Sequence, residues 1–210
     1  MPPEGVGLRV IDNRRRSLSH IPDYDVKFLK ALGEIDAEYA QQVRRSGCAH
    51  CGGPLDRSDY GRKPRPELGE AAESYERRCS FCCRVDGCRK RATPPSLRFL
   101  GRKVYIGVLV IVASAAGQAE RLTGRGAVRR VHGVPARTVR RWLEWWQTVF
   151  ALGTYWSEAK GLFAIPVGVA ELPASLRTRF GAGVAGLEKM LRFLAPVTTT
   201  SVRARMAMAM

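Results

Sequence analysis

The stretch CSFCCRVDGCRKRATPPS, from Cys79 to Ser96, places four of the chain's six cysteines within ten residues and then adds three consecutive basic side chains. At 210 residues the chain can bury a sizeable core, so it does not need crosslinks merely to stay folded. Its first residues show no apolar stretch typical of a secretory signal, and thiols of proteins that are not exported stay reduced. The cysteines are therefore predicted to bind a metal ion rather than to form disulfides.

A first pair of candidate ligands precedes this stretch, at Cys48 and Cys51. The two-residue gap lets both thiolates face one ion, and the Gly-Gly that follows permits the tight turn. Such a turn also directs backbone N–H groups at the sulfur atoms. His50 lies inside the turn and is interpreted as a bystander.

The sequence alone does not decide which two cysteines form the second pair of ligands. Cys79 and Cys82 have the same two-residue gap, whereas Cys83 and Cys88 are separated by four residues that include an Asp-Gly turn. Cys82 and Cys83 are adjacent, so on an extended strand their side chains point to opposite faces. One of them is predicted to reach the metal, and the other to be a small apolar core residue. The pattern as a whole predicts a structural Zn²⁺ ion.

Positive charge is concentrated in the middle of the chain. The formal net charge is +16, and residues 84–141 hold fourteen basic side chains against Asp86 and Glu120 alone. A concentrated positive block attracts polyanions, most often nucleic acid. The candidate contacts beside the cysteines are Arg84, Arg89, Lys90 and Arg91.

Hydrophobic spacing predicts a mainly helical chain with a small β ribbon. Helices are expected from Asp23 to about Arg45 with a stop at Gly47, from near Gly101 through the apolar run VYIGVLVIVASAA, over Gln118 to Val131, and from Pro135 to about Phe150. LDRSDY and SYERRCSF read as two short strands around a loop, and LPASLRTRF and GVAGLEKMLRFLAP as two short helices. The apolar run is too short to span a bilayer, so no membrane association is expected.

The segment AVRRVHGVPARTVRRWLEWW, from Ala127 to Trp146, fits a helix-turn-helix with Gly133 at the turn. Val139, Trp142, Leu143, Trp146 and Phe150 are predicted to face the core, together with Val134, while Trp145 falls off that stripe. Arg137, Thr138, Arg140 and Arg141 then lie outward near the helix start, where a recognition helix meets base edges. Arg129 falls where the first helix of such a motif usually has a small residue.

The order of these parts resembles the zinc-ribbon plus helix-turn-helix region of bacterial insertion-sequence transposases and their accessory proteins. The resemblance covers roughly residues 48–150, from the CAHC knuckle through CRKRATPPS to GVPARTVRRWLEWW. It implies Cys48, Cys51 and Cys88 as metal ligands with Cys83 as the fourth, although that family usually has a two-residue gap at the second pair.

These patterns divide the chain into four parts. They are an N-terminal helical segment (1–46), a zinc-ribbon module (47–98), a helical helix-turn-helix domain (99–152), and C-terminal helices with a tail that could dock a partner (153–210).

The function expected is that of a cytoplasmic, nucleoid-associated protein that binds DNA with full or partial sequence specificity, as a non-catalytic accessory or regulator of transposition, with transcriptional control left open as the process. Its partners would be double-stranded DNA, a transposase or recombinase, and a second copy of the chain. No aspartate follows Asp86 and the three histidines stand apart, so no catalytic metal trio is expected and the chain is interpreted as a non-enzyme. An RNA-binding zinc-ribbon protein and a basic protein-interaction module are the alternatives.

Overall fold

The computed structural model describes residues 25–101, 104–122 and 130–199. Its helices are α1 (Val26–Ser46), α2 (Gly107–Leu122), α3 (Ala136–Trp145), α4 (Thr154–Ala159), α5 (Ala174–Phe180) and α6 (Gly183–Leu194). Its strands are β1 (Leu55–Arg57), β2 (Tyr60–Gly61), β3 (Arg77–Arg78), β4 (Phe81–Cys83), β5 (Arg91–Ala92), β6 (Arg130–Val131) and β7 (Val134–Pro135). The predicted class, mainly helical with a small β part, is confirmed at that level.

Helix α1 starts at an aspartate cap and ends at a glycine. The carboxylate of Asp25 accepts a hydrogen bond from the Phe28 backbone N–H at 2.6 Å, which satisfies one of the helix's free donors. The predicted start, Asp23, lies outside the described residues. Gly47 ends the helix as predicted, with φ of 73°, a conformation that favours glycine.

The cysteine-rich part of the chain, residues 48–92, forms small antiparallel sheets, and we call it the ribbon. Strand β4 lies between β1 and β5, with Leu55 opposite Cys83 and Phe81 opposite Ala92. Strands β2 and β3 form a second pair. LDRSDY and SYERRCSF thus contain strands as predicted. A small hydrophobic cluster, which we call the ribbon core, joins this sheet to the end of α1 and consists of Ala40, Val43, Cys48, Leu55, Phe81, Cys83 and Ala92.

A larger core is built from the helices, and we call it the helical core. Residues 108–113 of α2 are all buried, so the apolar run is a buried helix as predicted from Gly107 onward. The predicted start near Gly101 is wrong, because Tyr105 pairs with Arg65 in a short β-bridge before the helix begins. Helix α3 continues as a π-helix over Trp146–Phe150, and the predicted stripe of Val139, Trp142, Leu143, Trp146 and Phe150 is buried. The first half of α1, helices α5 and α6, and Leu68, Ala71 and Tyr75 from the segment between β2 and β3 also belong to this core. The two predicted C-terminal helices are confirmed as α5 and α6, while α4 was not predicted.

Helices α2 and α3 cross at Gly117. A β-carbon on Gly117 would lie 2.5 Å from Val139 Cγ1, so only glycine permits this approach without a shift. Because α3 is fixed here, the orientation of its outer face is set by the helical core.

The prediction of a helix over 118–131 is wrong at its end. Helix α2 runs without a break from Gly107 to Leu122, and Arg130–Val131 is a strand that pairs with Val134–Pro135. His132 and Gly133 have φ of 48° and 76°, and two-residue hairpin turns of the commonest kind need positive φ at both positions. A tight hairpin therefore precedes α3, and Gly133 lies in its β-turn rather than between two helices, where the helix-turn-helix prediction places it. Arg129 lies outside the described residues.

A buried ion pair joins α1 to the segment that follows the ribbon. Asp36 accepts hydrogen bonds from the Leu97 backbone N–H at 2.6 Å, the Arg98 Nε at 2.8 Å and the Ser96 hydroxyl. Both charged side chains are buried. Arg98 therefore does not contribute to the exposed positive charge, although the sequence counts it within the basic block.

None of the helices in the described ranges is long and apolar enough to cross a membrane.

Candidate functional site

Four cysteine sulfur atoms converge where the ribbon core meets the surface. The Sγ atoms of Cys48, Cys51, Cys83 and Cys88 all lie within 4.8 Å of one another. Cys48 and Cys88 are 3.8 Å apart, and Cys51 and Cys83 are 3.5 Å apart. These four side chains could hold a metal ion.

The first two sulfur atoms are positioned by a tight turn. The Cys48 N–H donates to the Gly53 carbonyl and the Gly52 N–H donates to the Cys48 carbonyl, each at 2.8 Å. A β-carbon on Gly53 would lie 2.4 Å from Val85 Cγ2 and 3.3 Å from the Cys51 sulfur. Glycine at 53 thus lets the turn approach the second pair of cysteines.

Strand β4 and the turn after it supply the second pair. The Cys83 N–H donates to the Lys90 carbonyl at 2.9 Å, and the Cys88 N–H donates to the Val85 carbonyl at 3.1 Å. Four intervening residues therefore still bring Cys83 and Cys88 to one centre. From the sequence alone, Cys79, Cys82 and Cys83 are all candidates for the fourth ligand. The structure places Cys83 beside Cys48, Cys51 and Cys88.

The pKa values of the Cys48 and Cys83 thiols are shifted in opposite directions by their surroundings. Hydrogen bonds from the backbone N–H groups of His50 and Cys51 lower the pKa of the Cys48 thiol to about 7, in keeping with the predicted turn. Burial raises the pKa of the Cys83 thiol to about 12. Because metals bind thiolates, a cation at the centre would offset the cost of ionising Cys83. His50 contributes its backbone and is not among the converging side chains.

The remaining cysteines lie outside the cluster. Cys82 points to the face of β4 opposite Cys83, and its sulfur lies 3.5 Å from the Arg89 carbonyl oxygen. Cys82 is half-buried and is not part of the ribbon core, so the expectation of an apolar core role for it is wrong. The reason is that only the Cys83 face of β4 is directed at the ribbon core. Cys79 packs against the ribbon core.

Several basic side chains lie near Asp56 of the ribbon, and one of them, Arg84, is paired with it. Arg84 forms an ion pair with Asp56, with Nη2 to Oδ1 at 2.5 Å and Nε 3.1 Å from both oxygens. The hydrogen bond and charge of Arg84 hold the pKa of Asp56 below its usual range, and Arg44 and Arg89 act in the same direction. Arg44, at the end of α1, therefore belongs to this basic surface. Sequence reasoning missed it, although the pair Arg44–Arg45 stands just before Cys48.

The other predicted contacts of the ribbon differ from one another. Arg89 and Lys90 are exposed. Arg91 is exposed too, but its guanidinium donates to the Ser58 carbonyl at 3.3 Å and to the Ser80 hydroxyl at 3.1 Å. Arg91 thus holds β5 against the loop after β1, which limits its reach to an external anion.

Helix α3 carries the second set of predicted nucleic-acid contacts. Arg137, Arg140 and Arg141 are exposed and Thr138 is half-buried, while Val134 and Val139 point inward as predicted. Within the described ranges, none of these three arginines has a carboxylate partner at ion-pair distance. Trp145 is half-buried, with its ring edge-on to Trp146 at 5.0 Å between centroids.

Comparisons with protein-family models, curated proteins and solved structures found no match for this chain. The resemblance drawn from the order of the motifs therefore stays a prediction.

Proposed function

We propose that the chain is a DNA-binding protein in which a structural zinc ion stiffens the ribbon and α3 contacts the nucleic acid. The observation that carries the proposal is the outward face of α3. There Arg137, Arg140 and Arg141 extend into solvent from a helix whose other face is buried. A helix fixed in this way holds its cations in place before a polyanion arrives, which lowers the entropy cost of binding.

The sulfur geometry supports zinc at the centre. With Zn–S bonds of about 2.3 Å, a tetrahedron has edges of about 3.8 Å. The pairs Cys48–Cys88 and Cys51–Cys83 lie at 3.8 Å and 3.5 Å. Four thiolates select zinc or iron–sulfur centres. A multi-iron cluster would separate the sulfurs further, because several irons and sulfides lie between them.

Zinc would act here by folding the ribbon rather than by chemistry. Four cysteine ligands leave no open position for substrate, as in structural sites. Ligation supplies folding free energy to a segment of short strands and turns. It would fix Arg89 and Lys90 next to Cys88 and so present them to phosphate together with Arg44.

The residues proposed to contact DNA at α3 are Arg137, Thr138, Arg140 and Arg141. They occupy the first turns of the helix, the part of a recognition helix that meets base edges or phosphates. In the ribbon, Arg89, Lys90 and, after release from Asp56, Arg84 would contact phosphates. Arg91 is assigned a smaller share because its donors already bind Ser58 and Ser80.

The process proposed is transposition, with the chain as an accessory or regulator. The support is the order of a cysteine knuckle, a second cysteine pair and the GVPARTVRRWLEWW helix. A transposase or recombinase and a second copy of the chain are the proposed protein partners. No catalytic step is proposed.

Fluorescence anisotropy with labelled duplex DNA tests this function. The double change Arg137→Ala plus Arg140→Ala should weaken binding and reduce the slope of log affinity against log salt by about 0.9 for each phosphate that the variant no longer neutralises. The change Lys160→Ala plus Lys189→Ala removes the same charge from exposed positions elsewhere and should weaken binding less.

Repeating the titrations with duplexes of different sequence shows how α3 binds DNA. Weakening confined to a preferred sequence indicates base readout, whereas uniform weakening indicates phosphate binding. Tighter binding to structured RNA than to duplex DNA would assign the chain to RNA instead. Negligible binding of the unaltered protein to either nucleic acid at moderate salt would contradict the proposal.

A further inference from the structure

A groove runs beside the proposed DNA-contacting face of α3. Its volume is about 720 Å³, and it lies between α3 and the segment around Tyr105. Thr138, Arg141, Trp142, Trp145 and Val149 line one side at helical spacing. Two of the residues proposed for nucleic-acid contact, Thr138 and Arg141, thus also line a concave site.

The walls of this groove are aromatic and aliphatic. Tyr105 and Trp142 meet edge to face with their centroids 5.0 Å apart. Trp145 is half-buried, and Val149 at the rim is 62% exposed. An exposed valine beside half-buried rings is unfavourable in water, so a flat apolar ligand would gain by covering them.

The charge around the groove points to an anionic ligand. Arg141 lies in the lining and Arg137 one turn before it, and no described carboxylate pairs with either. Thr138 adds a hydroxyl that can donate or accept. Aromatic surface next to arginine is the combination that binds unpaired nucleotides, since the base stacks and the phosphate pairs with the cation.

We infer that this groove binds one unpaired base of the nucleic acid, with the adjoining phosphate on Arg141. The inference rests on the function proposed above and adds the substrate class. A base within a duplex shows only its edges, because its faces are covered by neighbouring bases. Aromatic and apolar walls can therefore hold a base only after it leaves the stack.

The test compares two labelled duplexes of the same sequence, one fully paired and one carrying a single extra unpaired base. Stacking contributes about 1–3 kcal/mol per base, so the bulged duplex should bind roughly 5- to 150-fold more tightly. Trp145→Leu should abolish this preference and leave affinity for the paired duplex unchanged. Trp145→Phe should keep part of the preference, and Thr148→Ala, just beyond α3 and outside the groove lining, should keep all of it.

A second measurement uses the unaltered protein, in case Trp145→Leu does not fold by circular dichroism. A bulged 5-bromouracil should photocrosslink to Trp145 or Tyr105, and mass spectrometry identifies the residue. Equal affinity for the two duplexes, a preference that survives in folded Trp145→Leu, or a crosslink outside the groove would overturn the inference while leaving duplex binding intact. Absence of binding to both duplexes would overturn the proposed function as well.

Discussion

The ribbon and the helical core are stabilised in different ways. The ribbon core is small, and two of its buried members, Cys48 and Cys83, belong to the candidate metal centre. The helical core is larger, includes fully buried aromatic rings such as Trp146, and contains none of the four converging cysteines. Helix α1 contributes to both cores, and Leu68, Ala71 and Tyr75 of the ribbon pack into the helical core. The comparison leads us to expect that hydrophobic burial suffices for the helices and that the ribbon depends on a bound ion.

The largest effect is expected from removing a metal ligand. Cys48→Ser should abolish metal binding and unfold the ribbon, because apparent zinc-binding energies of about 10–16 kcal/mol contribute to folding in small zinc modules. Metal analysis by mass spectrometry, together with hydrogen exchange of residues 48–61 and 77–92, measures both effects. Cys82→Ser is the matched control, since that sulfur lies outside the cluster and should leave metal content unchanged. Equal metal loss in both variants would contradict the assignment.

The reverse experiment destabilises the helical core alone. Trp146 is fully buried, and Trp146→Ala should lower the free energy of unfolding by about 3–5 kcal/mol, because apolar surface is exposed and a cavity remains. Thermal denaturation followed by circular dichroism measures the change. Metal content should stay at the level of the unaltered protein, and a fall in metal content would show that the two regions are not separable.

The next largest loss of stability is expected at the buried ion pair between α1 and the segment that follows the ribbon. Asp36→Asn leaves the buried Arg98 guanidinium without a counter-charge, and breaking such a pair costs about 3 kcal/mol. The amide oxygen of the variant can still accept some of the hydrogen bonds from Leu97 and Arg98. The cost should therefore lie at the lower end of the range for broken buried ion pairs. Urea denaturation measures it, and Glu188→Gln, which removes an exposed pair with Arg192, should change stability far less.

The smallest effect concerns the ion pair on the ribbon surface. Asp56→Asn frees Arg84 for phosphate, so DNA affinity should rise and the salt slope should steepen by about 0.9. Stability should hardly change, because the pair is exposed. Anisotropy titrations at several salt concentrations measure the slope, and an unchanged slope would remove Arg84 from the proposed phosphate-binding residues.

Local sequence patterns predict the elements whose causes are local. The i, i+4 stripe of Trp142, Trp146 and Phe150, the apolar run of α2 and the turn glycine at 47 all determine structure over a few residues, and these predictions are confirmed. The CAHC knuckle likewise predicts the backbone N–H groups aimed at Cys48.

Features that depend on distant residues escape prediction from local patterns. Choosing Cys83 over Cys79 requires the strand pairing that sets Leu55 opposite Cys83. The pairing of Arg98 with Asp36 spans 62 residues, so counting charge along the chain overstates the exposed charge. The hairpin at His132–Gly133 was missed because VRRV also fits helical spacing, although His-Gly between two valines suits a two-residue turn.

Removing the metal from the intact protein tests the central claim most directly. The purified chain would be treated with a chelator, and hydrogen exchange would be followed separately in ribbon residues 48–61 and 77–92 and in helices α2, α3 and α6, because the segment between the two ribbon ranges packs into the helical core. We predict that the ribbon loses its protection while the helices keep theirs, and that added Zn²⁺ restores the ribbon. A ribbon that stays protected without metal, or helices that lose protection together with it, would contradict the account.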